Sequence, residues 1–257
     1  MDAVTQSALP HVPWQDPALS RMPGMRPVDG PWIVVDDAYA GQMALRARLW
    51  RERRAAVEAV TPGAEAALAE LKAEVLGALP DGFRREGGDV VRPDGVRVGT
   101  DGAPFAVLNR LLQEDLLVLE KRGGAHVLIA GLLCFPAHWT LAEKIGRGLL
   151  RIHAPVPAYD EDLAMRVERL FDRVRPGRPM WRANVLPHET AELHRPRPEY
   201  APRARVARFL RSERQTVLRL PRTGAVLFAV HTYVVPVEAI TPEQRVGCPV
   251  PLDGPPA

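Results

Sequence analysis

The stretch Arg214-Gln-Thr-Val-Leu-Arg-Leu220-Pro-Arg-Thr-Gly224-Ala-Val-Leu-Phe-Ala-Val-His-Thr-Tyr-Val-Val235 decides the fold. Two strand-like runs, Arg214–Leu220 and Ala225–Val235, flank Pro221-Arg222-Thr223-Gly224, where proline presets one backbone angle and glycine supplies a left-handed one. The pair predicts an antiparallel hairpin. Its second strand is apolar almost throughout, so it belongs in the middle of a sheet covered on both faces rather than at an edge.

Working outward, Gly123-Gly124 turns the chain into a strand over His126–Phe135. Its apolar run, Val127 to Phe135, is far short of the roughly 20 residues a membrane helix requires. Asp36 or Asp37 can cap a helix running to about Val60, with Tyr39, Met43, Leu49 and Trp50 on one face; Thr61-Pro62-Gly63 ends it. A second helix is expected from Ala64 to Leu79, closed by Pro80-Asp81-Gly82. Residues 84–104 suggest short hairpins or an irregular connection, and Ala106–Leu119 fits a helix or a helix passing into a strand. Asp160 should cap a helix whose stripe is Leu163, Val167, Leu170, Phe171 and Val174, stopped by Pro176-Gly177. Residues 1–31 read as an extended arm, 32–240 as the main domain, and 241–257 as a tail expected to fray. Residues 195–208 form a Pro- and Arg-rich connection.

The chain of 257 residues, 46% hydrophobic and 25% charged, is that of an ordinary globular protein. Its 34 basic residues against 31 acidic ones give a net charge of +3, too balanced to make nucleic acid the default partner. Two cysteines, Cys134 and Cys248, without C-x-x-C spacing, argue against a disulfide scaffold, a thiolate zinc site or an iron–sulfur cluster held by this chain. A reducing cytoplasm is the expected setting, since the N-terminal residues have neither the basic start nor the apolar stretch of a secretory signal. No G-x-S-x-G, H-E-x-x-H, P-loop or G-x-G-x-x-G occurs, so redox chemistry here would need electrons from a separate reductase.

His153 is the candidate for metal chemistry. Thr140 followed by Glu143 is a capping-box pattern that starts a helix at about Leu141 and carries it toward Leu150. Pro155 and Pro157 cannot continue it, which leaves His153 where the backbone changes direction, beside apolar Ile152. An imidazole so placed can ligate a metal or a haem iron; equally, it can be a core histidine satisfied by backbone groups.

Nine arginines lie between Arg195 and Arg222. They can form a solvated face, a nucleic-acid patch for which stacking aromatics are scarce, or an anion pocket in which Arg214, Arg219 and Arg222 pair with carboxylates. Glu213, flanked by Arg211 and Arg214, is either an ion-paired strand residue or, if it points into the concave face of the sheet, a receptor for a protonated amine.

Phe135-Pro136 with Trp139, Glu143-Lys144-Ile145-Gly146, Ile152-His153 with Pro155-Val156-Pro157, and Glu213-Arg214-Gln215-Thr216 with Leu220-Pro221-Arg222-Thr223-Gly224 closely resemble the haem-dependent oxidative N-demethylase alpha-subunit-like family, from about Met22 to Val237. The resemblance implies an α+β, PAS-like fold, a mixed antiparallel sheet with flanking helices around haem b. It implies O₂-dependent demethylation of a small secondary amine such as dimethylamine, with formaldehyde released. Electrons would come from NADPH through partner subunits carrying FMN and an iron–sulfur cluster, with neither nucleic acid nor membrane involved. It further implies His153 as the iron ligand, Glu213 as holder of the substrate ammonium, Arg214 and Arg222 with Arg182 around the cofactor, and Tyr233 as a distal hydroxyl. The rival reading is a PAS-like haem or small-ligand sensor without turnover. Three positions depart from the family pattern: His138 and His231 stand where arginine is usual, and Val185 where tryptophan is. Loss of a pocket arginine would spare haem binding while removing dimethylamine chemistry, and His231 could compete as a ligand.

Overall fold

The computed structural model describes residues 4–156, 159–199 and 207–252. In chain order they form β1 (Arg26–Pro27), α1 (Tyr39–Val57), β2 (Glu58–Val60), α2 (Glu65–Gly77), β3 (Arg84–Glu86), β4 (Asp89–Val91), β5 (Arg97–Gly99), α3 (Pro104–Leu108), β6 (Asp115–Arg122) and β7 (Ala125–Leu132). There follow α4 (Leu141–Lys144), α5 (Leu149–Ile152), α6 (Glu161–Arg173), β8 (Met180–His188), β9 (Phe209–Arg219), β10 (Val226–Pro236) and α7 (Pro242–Arg245).

The expected hairpin is the spine of the molecule. β9 and β10 pair antiparallel from Val226 opposite Arg219 to Pro236 opposite Phe209, and lie inside a seven-stranded antiparallel sheet of order β1-β8-β9-β10-β6-β7-β2. With β3-β4-β5 as a separate small sheet and the helices outside, the architecture is α+β.

Both faces of the large sheet are covered, which is why β10 is apolar on both sides. Leu116 and Val118 of β6, with Leu227 and Ala229 of β10, join Leu49, Leu68, Leu71 and Leu108 in one core beneath α1, α2 and α3. The alternate residues Leu117, Leu119, Val217 and Val226 join Leu163, Val167 and Phe171 of α6 in a second core. The period of two along each strand separates the cores.

Helix α6 forms as its sequence predicts. Asp160 accepts a hydrogen bond from the Leu163 amide at 2.8 Å, and Leu163, Ala164, Val167 and Phe171 are buried. The single helix expected from Leu141 to Leu150 is instead two short ones. Gly146 adopts φ 73°, its amide donates to the Leu128 carbonyl at 2.8 Å, and the Leu128 amide donates to Arg147 at 3.0 Å. Pairing with β7 therefore outcompetes continuation of the helix, and the left-handed turn requires glycine. Thr140 Oγ1 donates to Glu143 Oε2 at 2.5 Å, so this pair joins side chain to side chain rather than capping a backbone amide.

The two ends are held more firmly than composition suggests. The Gln6 amide donates to Val234 O at 3.1 Å, Val234 N donates back to Gln6 Oε1 at 2.8 Å, and Leu9 is buried beside Tyr233. The expectation that the tail frays fails for its described part: Thr241 and Gln244 form a capping box, Trp14 Nε1 donates to Gln244 O at 3.1 Å, and Val250 is buried. The last five residues, 253–257, lie outside the described residues.

Candidate active site

One large cavity, about 350 Å³, opens between the sheet and the helices α4, α5 and α6. That volume is within the range of small-molecule and cofactor sites, roughly 300–1,000 Å³. Its sheet wall follows from register. Glu213 lies opposite Asn184 and Thr232, Gln215 opposite Arg182 and Val230, and Val217 opposite Phe228, so these side chains share one face. Leu117, Leu119 and Leu128 extend that wall. Met22, Pro23 and Met25 of the arm close one side, held by a hydrogen bond from Arg166 to Met22 O at 3.2 Å.

His153 lines this cavity from the C-terminal end of α5. Its Nδ1 donates to the Leu149 carbonyl at 2.9 Å. That bond fixes the tautomer and leaves the lone pair on Nε2, the arrangement that metal-bound histidines use. The ring stacks on Tyr159, with centroids 4.1 Å apart and planes inclined by 16°. Burial, with Lys144 nearby, lowers the imidazole pKa against the opposing Leu149 hydrogen bond, so the neutral form prevails. Lys144 donates to Ile152 O and, at 2.5 Å, to Glu199 Oε1, and so anchors the residue that precedes His153.

The residues of β8 and β9 supply a further polar part of the lining. Glu213 accepts from Arg211 at 3.2 Å and from Asn184 Nδ2 at 3.0 Å. Arg211 is fully buried and reaches the carbonyls of Phe135 and Leu193 as well, so the carboxylate is ion-paired and held in place. Arg182 Nη1 donates to Gln215 Oε1 at 3.0 Å, while its buried Nε has no hydrogen-bond partner among the described residues. Burial lowers the Arg182 pKa, and Glu213 opposes that shift. The buried hydroxyl of Tyr159 likewise has no such partner, and burial raises its pKa to about 12.

The structure thus brings His153, Arg182 and Glu213 to one cavity and leaves four other expected residues elsewhere. Arg214 and Tyr233 are adjacent to cavity-facing residues in sequence and therefore point to the opposite face of the sheet. Arg214 lies over the Trp181 ring, 5.2 Å from its centroid, and Tyr233 packs on His11 and His231. Arg222 is an exposed turn residue beside Glu70, at 3.5 Å. Arg219 is spent on the carbonyls of Val174, Gly224 and Phe171. Much of the Arg-rich connection, residues 200–206, and Pro157 lie outside the described residues.

Of the three departures, His138 lines the cavity, with φ 63°, while Val185 lies in the cluster beside Tyr233. His231 is buried on the far face, with Nδ1 3.2 Å from Glu114 and Nε2 3.0 Å from Asp36. Both nitrogens are engaged, so it offers no lone pair and does not compete as a ligand. Sequence reasoning gave no role to Tyr159 or Lys144, although both sit within fifteen residues of His153: Tyr159 stacks on its ring and Lys144 donates to the carbonyl of its neighbour Ile152.

No helix is long and apolar enough to cross a membrane, and no group of three or more metal-ligating side chains occurs among the described residues. His153 and His138 are the two histidines among the residues lining the cavity, and of these His153 has its Nδ1 committed to a backbone carbonyl. Residues 25–250 match the family model described as haem-dependent oxidative N-demethylase, alpha subunit-like.

Proposed function

The chain belongs to the haem-dependent oxidative N-demethylase, alpha subunit-like family, and from that premise we propose that it is the haem-binding subunit of a monooxygenase that demethylates a small secondary amine. The observation that carries this reading is the imidazole of His153 on the cavity wall, with Nδ1 committed to Leu149 O. His153 Nε2 would hold the iron of haem b, with Tyr159 fixing the plane of the ring. The walls of Leu117, Leu119, Leu128, Val217 and Phe228 suit a porphyrin, and the orphaned Nε of Arg182 suits a propionate. Bound there, haem supplies the activation of O₂ and the oxidation of the amine's methyl group.

The remaining work falls to the protein. A secondary amine is protonated at neutral pH, and Glu213 presents a fixed carboxylate to it. Because Arg211 and Asn184 already hold that carboxylate, binding the ammonium costs little rearrangement. The apolar arm residues Met22, Pro23 and Met25 exclude water from the other side. NADPH, FMN and the iron–sulfur cluster are assigned to partner subunits, in keeping with the absence of glycine-rich and cysteine-cluster motifs from this chain.

Hemin titration tests the cofactor. A sharp haem absorption band in the protein is expected, and a folded protein that stays colourless refutes the reading. Formaldehyde release from dimethylamine, with NADPH and a surrogate reductase, then tests turnover. Haem uptake without product would turn the assignment to a sensor.

A further inference from the structure

The outer face of α6 carries a cluster of arginines, most of them without an ion-pair partner among the described residues. Arg166, Arg169 and Arg173 line an open groove whose floor is Leu170, Val174 and Met180, and Arg175 and Arg178 continue the charge just beyond the helix. All five arginines are exposed. Arg166 is paired with Asp162 at 3.0 Å, whereas Arg169, Arg173, Arg175 and Arg178 have no ion pair among the described residues. Of the acidic residues of the same helix, Asp162 pairs with Arg166, while Glu168 is engaged by His126 and Asp172 by Lys121. A helix that faces only solvent gains from interspersed charge of both signs, so a one-sign face over an apolar floor is the pattern of a contact surface.

Leu170 belongs to both the groove and the central cavity. A protein seated in the groove therefore contacts a side chain that also lines the cavity. Oxidative demethylation consumes one O₂, two electrons and two protons per amine, and yields the demethylated amine, formaldehyde and water. The electrons must be delivered, since the sequence carries neither a glycine-rich nucleotide-binding motif nor a cysteine cluster.

We infer that the arginine-lined groove on α6 is the docking site for an acidic electron-donor protein; this rests on the function proposed above. The apolar floor favours a protein partner over nucleic acid, because no aromatic side chain lines the groove for base stacking.

The test uses a small acidic [2Fe–2S] ferredoxin and the double variant Arg169→Glu/Arg173→Glu, whose positions are exposed and unpaired. Calorimetric binding is measured on protein without added hemin, and stopped-flow reduction on hemin-loaded protein. Charge reversal should weaken ferredoxin binding and slow ferredoxin-driven reduction by about tenfold or more at low salt, with the difference shrinking at high salt. Reduction by dithionite should not change. Equal binding by wild type and variant overturns the inference, as does wild-type binding to a DNA oligonucleotide or to anionic vesicles but not to ferredoxin. Failure to take up hemin defeats the proposed function, while the binding arm still decides whether this groove recognises the acidic protein.

Discussion

Nδ1 of His153 and the carbonyl oxygen of Leu149 lie 2.9 Å apart, one turn of α5 from end to end. The helix that presents the imidazole thereby also selects its tautomer. His153→Ala should abolish the hemin-induced absorption band while lowering stability by only about 1 kcal/mol, the worth of one hydrogen bond. Hemin titration and urea denaturation of the same preparation check both halves. An undiminished band would remove His153 from the iron.

Glu213→Gln keeps the shape and the contact with Asn184 but removes the charge. The KM for dimethylamine should rise by about 10- to 100-fold, as expected for losing a charged hydrogen bond of about 1.5–3 kcal/mol, with hemin affinity unchanged. Steady-state formaldehyde assays read the first, optical titration the second. An unchanged KM would leave Glu213 as a structural partner of Arg211.

Buried His231 stands between Asp36 and Glu114. Burial alone would lower its pKa, but the two carboxylates outweigh that and push it up to about 9. A folded pKa above the unfolded value of about 6.5 means that its stabilisation is complete below pH 6.5 and is lost as pH rises through 9. His231→Gln should therefore cost about 3 kcal/mol at pH 6 and distinctly less at pH 9. Denaturant melts across this range check the slope; parallel curves for wild type and variant would contradict it.

His11 and His188 act in the opposite direction. Burial, aided by Arg214 for His11 and by Arg211 for His188, brings each down to about 4. Stability should fall as pH drops from about 6.5 toward 4, where the unfolded chain takes up protons that the folded one refuses. His188→Gln should make that acid slope shallower, read by the same melts.

Gly24 lies in the arm segment that covers the cavity. A Cβ there would be 2.0 Å from Ala18 O and 2.5 Å from Arg21 O, both backbone atoms that cannot swing aside. Gly24→Ala should cost roughly 1–3 kcal/mol and loosen Met22 and Met25 from the cavity. Hydrogen exchange over residues 16–27 should rise in the variant; unaltered exchange would show that the arm absorbs the clash.

The β9–β10 hairpin, the cap of α6 and the position of His153 just past a helical turn were all legible, because each rests on chemistry within about ten residues. Strand β8 was not. Arg182 lines the cavity, Asn184 shares its face, and the strand contains Pro187, so it shows no apolar alternation; a strand facing a polar cavity end lacks the signal that marks a core strand. The break at Gly146 was hidden for a related reason, since its cause is a hydrogen bond to Leu128 in another element.

Local sequence determined the β9–β10 hairpin, helix α6, the doubly covered central strand and the family, through turn chemistry and hydrophobic period. The third dimension alone decided which polar residues meet. Neighbours Glu213 and Arg214 differ by a single step along β9, and a strand sends successive side chains to opposite faces, so one lines the cavity and the other packs beneath the arm. Which face holds the hollow depends on where α4, α5 and α6 fold back, and those long-range contacts leave no mark on the strand itself.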